Sequence, residues 1–414
     1  MLTGRTSGAL SSLSVKYYPR VFISGWLWNV TRWMGVFLGS FLVNAETGSP
    51  LAVQLVGAAF FIPMFLGGLL AGAVSDRFDR RRTLLRNLAV LVPTTMLMAF
   101  AVGQSAVELW MIYLFMAIVG VGGVLDMTSR RALVHDLVGD QHITNALALE
   151  MFSLASGNMA GFLFAGAVLD FVGEPSAYVL IAVAYGLSFV MLASVPARSV
   201  TALGATTGAD EPVVARAGLR EDFMAGAAFL ASSAPLRSTL GVTVIVNVFM
   251  FSFLPLVPVF ADRLGIGAFQ AGLLASAMGT GMMLSSLWVA MNSQARRGVV
   301  YTVGAFLATG ALLGLPLAPR FLLAYPAVLV AGFGGGLFGA TQSAVVITIA
   351  GPELRGRALG MLSMAIGGLP FGIVALGVVA ERIGAAAALL WGLSLGLVLL
   401  VVWLRRRPEV MAIE

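Results

Sequence analysis

The 414-residue chain contains no cysteine, two histidines and a single lysine, Lys16. Without cysteine there can be no disulfide, no thiolate metal site and no thiol nucleophile. His135 and His142 share one short polar stretch and do not suggest a zinc or di-iron centre. No Gly-x-x-x-x-Gly-Lys-[Ser/Thr] run surrounds the sole lysine, so ATP hydrolysis on this chain is not expected. Nor is there a His-Glu-x-x-His run, and both histidines fall between apolar segments, so a membrane-embedded enzyme is disfavoured. Neither a cofactor nor a metal is expected. Charge is also scarce: 11% of residues are charged, against about 25% in ordinary globular chains.

Apolar residues fill the gap. Fifty-nine per cent of the chain is hydrophobic, and the mean hydropathy is +0.95. Twelve spans of roughly 22 residues would use about 264 positions and leave short loops, one long central loop and two tails. The runs are continuous, which excludes a transmembrane barrel with its alternating strands. They fall near 20–44, 51–75, 84–103, 107–132, 145–170 and 176–196, then near 236–261, 268–292, 298–317, 321–349, 357–381 and 385–404. The expected fold is therefore an all-α membrane protein of 12 transmembrane helices in two six-helix halves. Its divisions are an N-terminal bundle over 1–196, a cytoplasmic linker over 197–235 and a C-terminal bundle over 236–414. The first 19 residues do not resemble a cleavable signal peptide, so the first run is expected to remain as an anchor.

Arginine usage orients these spans. With a cytoplasmic N-terminus, 21 basic residues (20 arginines and Lys16) fall in cytoplasmic segments and only three, Arg263, Arg320 and Arg382, fall outside. Both termini are thus expected in the cytoplasm. The net charge of +6 is accounted for by topology, with no nucleic-acid partner required. In the linker, Leu219, Phe223, Ala227 and Leu230 recur at helical spacing. They suit either an interfacial amphipathic helix or a solvated one.

The halves resemble each other at an offset of 211. Gly157, Gly161 and Gly166 match Gly368, Gly372 and Gly377, Asp170 matches Glu381, and Gly173 matches Gly384. Parallel half-repeats place a binding site between the halves near the bilayer midplane, and small residues let helices approach closely.

After the second run the chain reads Gly72-Ala-Val-Ser-Asp76-Arg77-Phe78-Asp79-Arg80-Arg81-Arg82. Glycine, three residues, aspartate, a basic residue and a basic cluster resemble the signature loop of the major facilitator superfamily. Asp79 replaces the usual second glycine, a variant that resembles the enterobactin-exporter-like, drug-efflux branch. Arg130-Arg-Ala-Leu-Val-His-Asp-Leu-Val after span four and Gly351-Pro-Glu-Leu-Arg-Gly-Arg-Ala-Leu-Gly after span ten extend the likeness. The resemblance implies a cytoplasmic gate of Gly72, Asp76, Arg77, Arg80, Arg81 and Arg130, in which Asp76 meets Arg130 and the N-terminus of span eleven.

Ionisable residues inside spans are rare and usually face a cavity or a partner. Asp126 is a structural partner of Arg130, four residues on, or a proton-coupling acid; Glu150 is a second coupling candidate or an interfacial group. Arg32 lies about 18 Å into the first span, too deep to snorkel. Trp26, Asn29, Trp33 and Phe37 share its stripe and form either a cavity wall or helix packing. The superfamily resemblance adds Asn247, Phe249, Phe333 and Gln342 from spans seven and ten to the expected substrate cavity. It implies a monomeric secondary transporter of the bacterial inner membrane that exports small amphipathic molecules by alternating access, with a proton or other ion in antiport. The same fold would also serve an uptake symporter or a lysolipid flippase.

Overall fold

The computed structural model describes residues 11–75, 79–196, 230–292 and 296–413. Among the described residues there are helices and turns but no strand. The first half holds α1 Tyr18–Thr47, α2 Pro50–Ser75, α3 Arg80–Gly103, α4 Leu109–Gly139, α5 Gln141–Phe171 and α6 Glu174–Ala193. The second holds α7 Ala234–Leu264, α8 Ala268–Met291, α9 Arg297–Leu317, α10 Phe321–Gly351, α11 Leu354–Ile383 and α12 Ala385–Arg406. These are the twelve expected runs. Eleven are long and apolar enough to cross a membrane; α1, at 30 residues, is long enough but is not among them. Nearly all of the expected linker lies outside the described residues.

Two expected loops are instead helix. α4 continues through Arg130 and Arg131 to Gly139, and α5 starts two residues later. Gly139 alone turns the chain, with φ 63° and ψ 177°, and Gly351 does the same between α10 and α11 with φ 65° and ψ −179°. A side chain at such a positive φ is strained, so glycine substitutes for a loop. A 31-residue helix is about 46 Å long, well beyond the roughly 30 Å hydrocarbon layer. Polar residues assigned to loops are therefore the projecting ends of helices.

The repeat has a structural meaning at each matched position. A Cβ on Gly161 would lie 2.5 Å from the Val30 carbonyl of α1, and one on Gly372 would lie 2.2 Å from the Val248 carbonyl of α7. Gly157 abuts Asn29 on α1, as Gly368 abuts Val248 on α7. One turn further, Gly166 meets Ala268 and Gly272 of α8, whereas Gly377 meets Gln54 of α2. Matched glycines thus seat α5 on α1 and α11 on α7, then carry each helix across to the other half. The turns that follow, at Gly173 and Gly384, both have positive φ.

The halves join along α2–α11 and α5–α8. On this seam α2 packs against two interruptions. α7 is α-helical to Phe249, a 3-10 helix over Phe251–Leu256, and α-helical again over Val257–Leu264. Pro255 and Pro258 bring no backbone donor to this stretch. The fully buried Gln54 amide donates to the Ser252 carbonyl at 3.0 Å. That bond satisfies a backbone group which lipid could not. α11 breaks at Gly367 and Gly368, where Phe65 fills the space that a Cβ on Gly367 would need.

Candidate functional site

At the end remote from the chain termini, carboxylates of one half bind the starts of helices in the other. Glu381, near the end of α11, accepts from the Ser49 hydroxyl at 2.8 Å and the Leu51 amide at 3.1 Å, where α2 begins. Its repeat counterpart Asp170, near the end of α5, accepts from the Phe269 amide at 3.4 Å, where α8 begins. A helix start carries about half a positive charge, so both contacts gain from the same dipole. Asn44 of α1 donates to Asp262 of α7 at 2.6 Å, and Phe171 packs on Phe269 with centroids 5.5 Å apart. The seam is closed at this end.

Toward the opposite end lies a cavity walled by α1, α4 and α5, with an empty volume of about 760 Å³ including its mouth. It extends from Tyr18 to Arg32, a rise of about 21 Å along α1. Trp28 and Asn29 line its inner part, and Glu150 and Arg131 lie nearer the mouth. Asp126 binds Arg130 through both oxygens, at 2.9 Å to Nε and 2.5 Å to Nη2. Arg130 also donates to the Val21 carbonyl at 3.0 Å and the Ser24 hydroxyl at 3.3 Å. This buried fork fastens α4 to α1, and Gly25 leaves room for it: a Cβ there would lie 3.0 Å from the Arg130 side chain. Glu150 accepts from Arg131 at 2.8 Å and joins α5 to α4 beside the Gly139 break.

Arg32 is treated differently. Its guanidinium carbon lies 5.1 Å from the centre of the Trp33 ring, a cation–π contact. Its Nε is buried without a hydrogen-bond partner, and among the described residues no ion pair reaches it.

The other expected site residues divide sharply. Asn29 reaches the cavity and donates to Ser153 at 3.1 Å; Trp26 donates to Ser156 at 3.1 Å and ties α1 to α5. Trp33 and Phe37 are buried and pack on Phe162, so they are core more than wall. None of Asn247, Phe249, Phe333 and Gln342 borders this cavity. Asn247 donates to the Thr243 carbonyl and Gln342 to the Thr243 hydroxyl, inside a buried cluster with Tyr301. Phe249 packs against Gly396 of α12, and the Phe333 backbone abuts Gly281 of α8. In the second half, polar side chains turn inward to satisfy one another.

Of the expected gate, Asp76 and Arg77 lie outside the described residues. Arg80 pairs with Asp136 of α4, and Arg81 donates to the Ala193 carbonyl at 2.8 Å. With Arg130, these arginines make their described bonds within the first half. The contacts that do cross the seam, through Asp170 and Glu381, were visible in the sequence as a repeated acid but carried no assigned role.

Two pseudo-symmetric six-helix bundles, joined at one end, with a charged cavity inside the first bundle, fit a membrane transport protein. The chain belongs to the major facilitator superfamily: the model of that family, Major Facilitator Superfamily, matches residues 21–373. It is 26% identical over 380 residues to the enterobactin exporter EntS of Escherichia coli O139:H28 (strain E24377A / ETEC), covering 86% of this chain and 83% of that one. The same figures hold for EntS of Escherichia fergusonii. Among solved structures, the nucleoside transporter NupG superposes with a TM-score of 0.69 at 16% identity, over 94% of this chain and 99% of that one. A bacterial homologue of the human lysosomal transporter Spinster, inward-facing and unoccupied, gives 0.65 at 16% identity, over 99% and 97%.

Proposed function

We propose that this protein exports small amphipathic molecules across the bacterial inner membrane by alternating access, with both termini in the cytoplasm and proton antiport as the drive. The observation that carries this reading is the difference between the two ends of the molecule. Cross-half bonds close the seam at the end remote from the termini, while the first-half cavity among α1, α4 and α5 lies toward the other. Arginine distribution favours a cytoplasmic location for the cavity end, where an exporter loads. The likeness to EntS supports export over uptake.

Asp126 is the proposed proton carrier, because its proton and the Arg130 fork compete for the same two oxygens. Glu150, at the mouth, is the proposed relay. The test is efflux from proteoliposomes under an imposed pH gradient. Wild type should move an amphiphile against its gradient, and Asp126→Asn should abolish the dependence on pH. Because that change strands Arg130, the double variant Asp126→Asn/Arg130→Gln is measured beside it. Proton dependence that survives in both removes the coupling assignment. Accumulation in the opposite sense would replace export by uptake symport.

A further inference from the structure

We infer that the substrate of this cavity carries an anionic group and that Arg32 is the residue that receives it. The inference rests on the transporter reading and names the substrate class. It begins with a charge balance. The charged residues lining the cavity are Arg32, Arg130, Arg131, Asp126 and Glu150. Three positive and two negative charges leave one positive charge over, and the hydrogen bonds show where it resides. Asp126 gives both oxygens to Arg130, and Glu150 is held by Arg131. Neither acid has a hydrogen bond or ion pair with Arg32. The surplus is therefore Arg32, at the inner end.

Among the residues whose side chains the structure describes, the second half does not supply the missing anion: Asp262 and Glu381 are engaged at the closed end of the seam, and Glu409 lies in the 3-10 turn after α12. Among the described residues, no carboxylate of that half lines the cavity.

An arginine kept for the fold alone looks like Arg130, with a bidentate acid, a backbone carbonyl and a hydroxyl around it. Arg32 has a ring instead. The guanidinium carbon sits over the Trp33 ring, its Nε is buried without a hydrogen-bond partner, and the residue lines the cavity. A planar guanidinium edge matches carboxylate, sulfonate or phosphate oxygens in a two-bond fork. Around it, Trp28 offers an apolar surface, and Asn29 and Ser153 offer polar groups. The complementary molecule has an anionic head and a ring-sized apolar body. A cationic amphiphile would bring a second positive charge to a site that already has one too many.

The probes are naphthalene-2-sulfonate, 2-naphthol and 2-naphthyltrimethylammonium, which share a ring and differ in charge. Each is titrated against the full-length protein in lipid nanodiscs, with the melting temperature as readout. The sulfonate should raise it most and the ammonium least. Arg32→Gln should weaken sulfonate binding at least tenfold, and Arg32→Lys should retain part of it. Without ligand, Arg32→Gln should melt no lower than wild type, because an unpaired buried charge does not stabilise. The inference is overturned if the ammonium or naphthol does as well as the sulfonate, if none of the three has any effect, or if the sulfonate effect survives Arg32→Gln. A large drop in the unliganded melting temperature of Arg32→Gln would also overturn it, since Arg32 would then be holding the fold. Proteoliposome transport of the same compounds separates the two readings. Movement of the ammonium without sulfonate binding leaves a transporter and removes the anion site. Sulfonate binding through Arg32 with no movement of any compound leaves the anion site and removes the proposed export of such amphiphiles.

Discussion

Neutralising Asp170 and Glu381 together should tip the protein toward its other face. Each carboxylate meets the start of a helix in the opposite half, and Glu381 makes two hydrogen bonds there against one longer bond for Asp170. A charge beside a helix start contributes about 0.3–1 kcal/mol when exposed. Exposed charge pairs stay near the bottom of such ranges, about 0.2–1 kcal/mol. Allowing about 1 kcal/mol for Glu381 and about 0.5 kcal/mol for Asp170, the double variant Asp170→Asn/Glu381→Gln loses about 1.5 kcal/mol of closed-state preference. That is a little over tenfold in the equilibrium constant, enough to raise an open fraction of about 1% to roughly 10%. The chain has no cysteine, so Ala45→Cys and Arg263→Cys introduce the only two thiols, at exposed positions beside the Asn44–Asp262 bond. Spin labels there report the separation of the halves. The double variant should show a new, longer distance at roughly ten times the wild-type weight, and each single variant should show less. An unchanged distance distribution in the double variant would refute the idea that these carboxylates hold the seam.

Two glycines on one helix should respond differently to the same change. Gly161→Ala drives a methyl to 2.5 Å from the Val30 carbonyl within the first half and should cost about 1–3 kcal/mol of stability in thermal unfolding. Gly166→Ala places it 2.5 Å from the Ala268 carbonyl across the seam, so the spin-label distance should lengthen with a smaller loss of melting temperature. Asp126→Asn leaves Arg130 buried without its counter-ion and should destabilise by about 3–5 kcal/mol, with Asp126→Asn/Arg130→Gln recovering much of the loss in the same assay. Gly139→Ala meets no neighbour within 4 Å, so its cost is backbone strain alone, about 1–2 kcal/mol, read as a lowered melting temperature.

The span count and the repeat were legible because continuous apolar runs and recurrent glycines are properties of the sequence by itself. The repeat at offset 211 was more informative than its residue types suggested: three matched glycine pairs mark helix crossings, the fourth marks the turn that follows, and the matched acid marks a seam contact. The ends of α4 and α10 were misjudged because polarity signals departure from lipid, not departure from helix. Only the backbone angles of Gly139 and Gly351 locate those ends. The aromatic stripe on α1 was half right. Helical spacing places Asn29, Arg32 and Trp33 near one another, but whether a ring faces a cavity or a neighbour depends on Phe162, far away in sequence. The second-half residues Asn247 and Gln342 were placed at the cavity by the superfamily resemblance, and in the structure they hydrogen-bond within a local cluster with Thr243 and Tyr301.

The polarity of α1 bears on how the protein is made. The first of the twelve helices is the one that the others exceed in apolar character by composition, and it carries Arg32 midway along its length. Arg32 finds its ring inside α1, but Trp26, Asn29 and the Val21 carbonyl wait for partners on α4 and α5. Stable insertion of α1 is then expected only once α4 and α5 are there to join it. Truncated nascent chains ending before α4 should leave α1 extractable from membranes by carbonate, and chains extending past α5 should not.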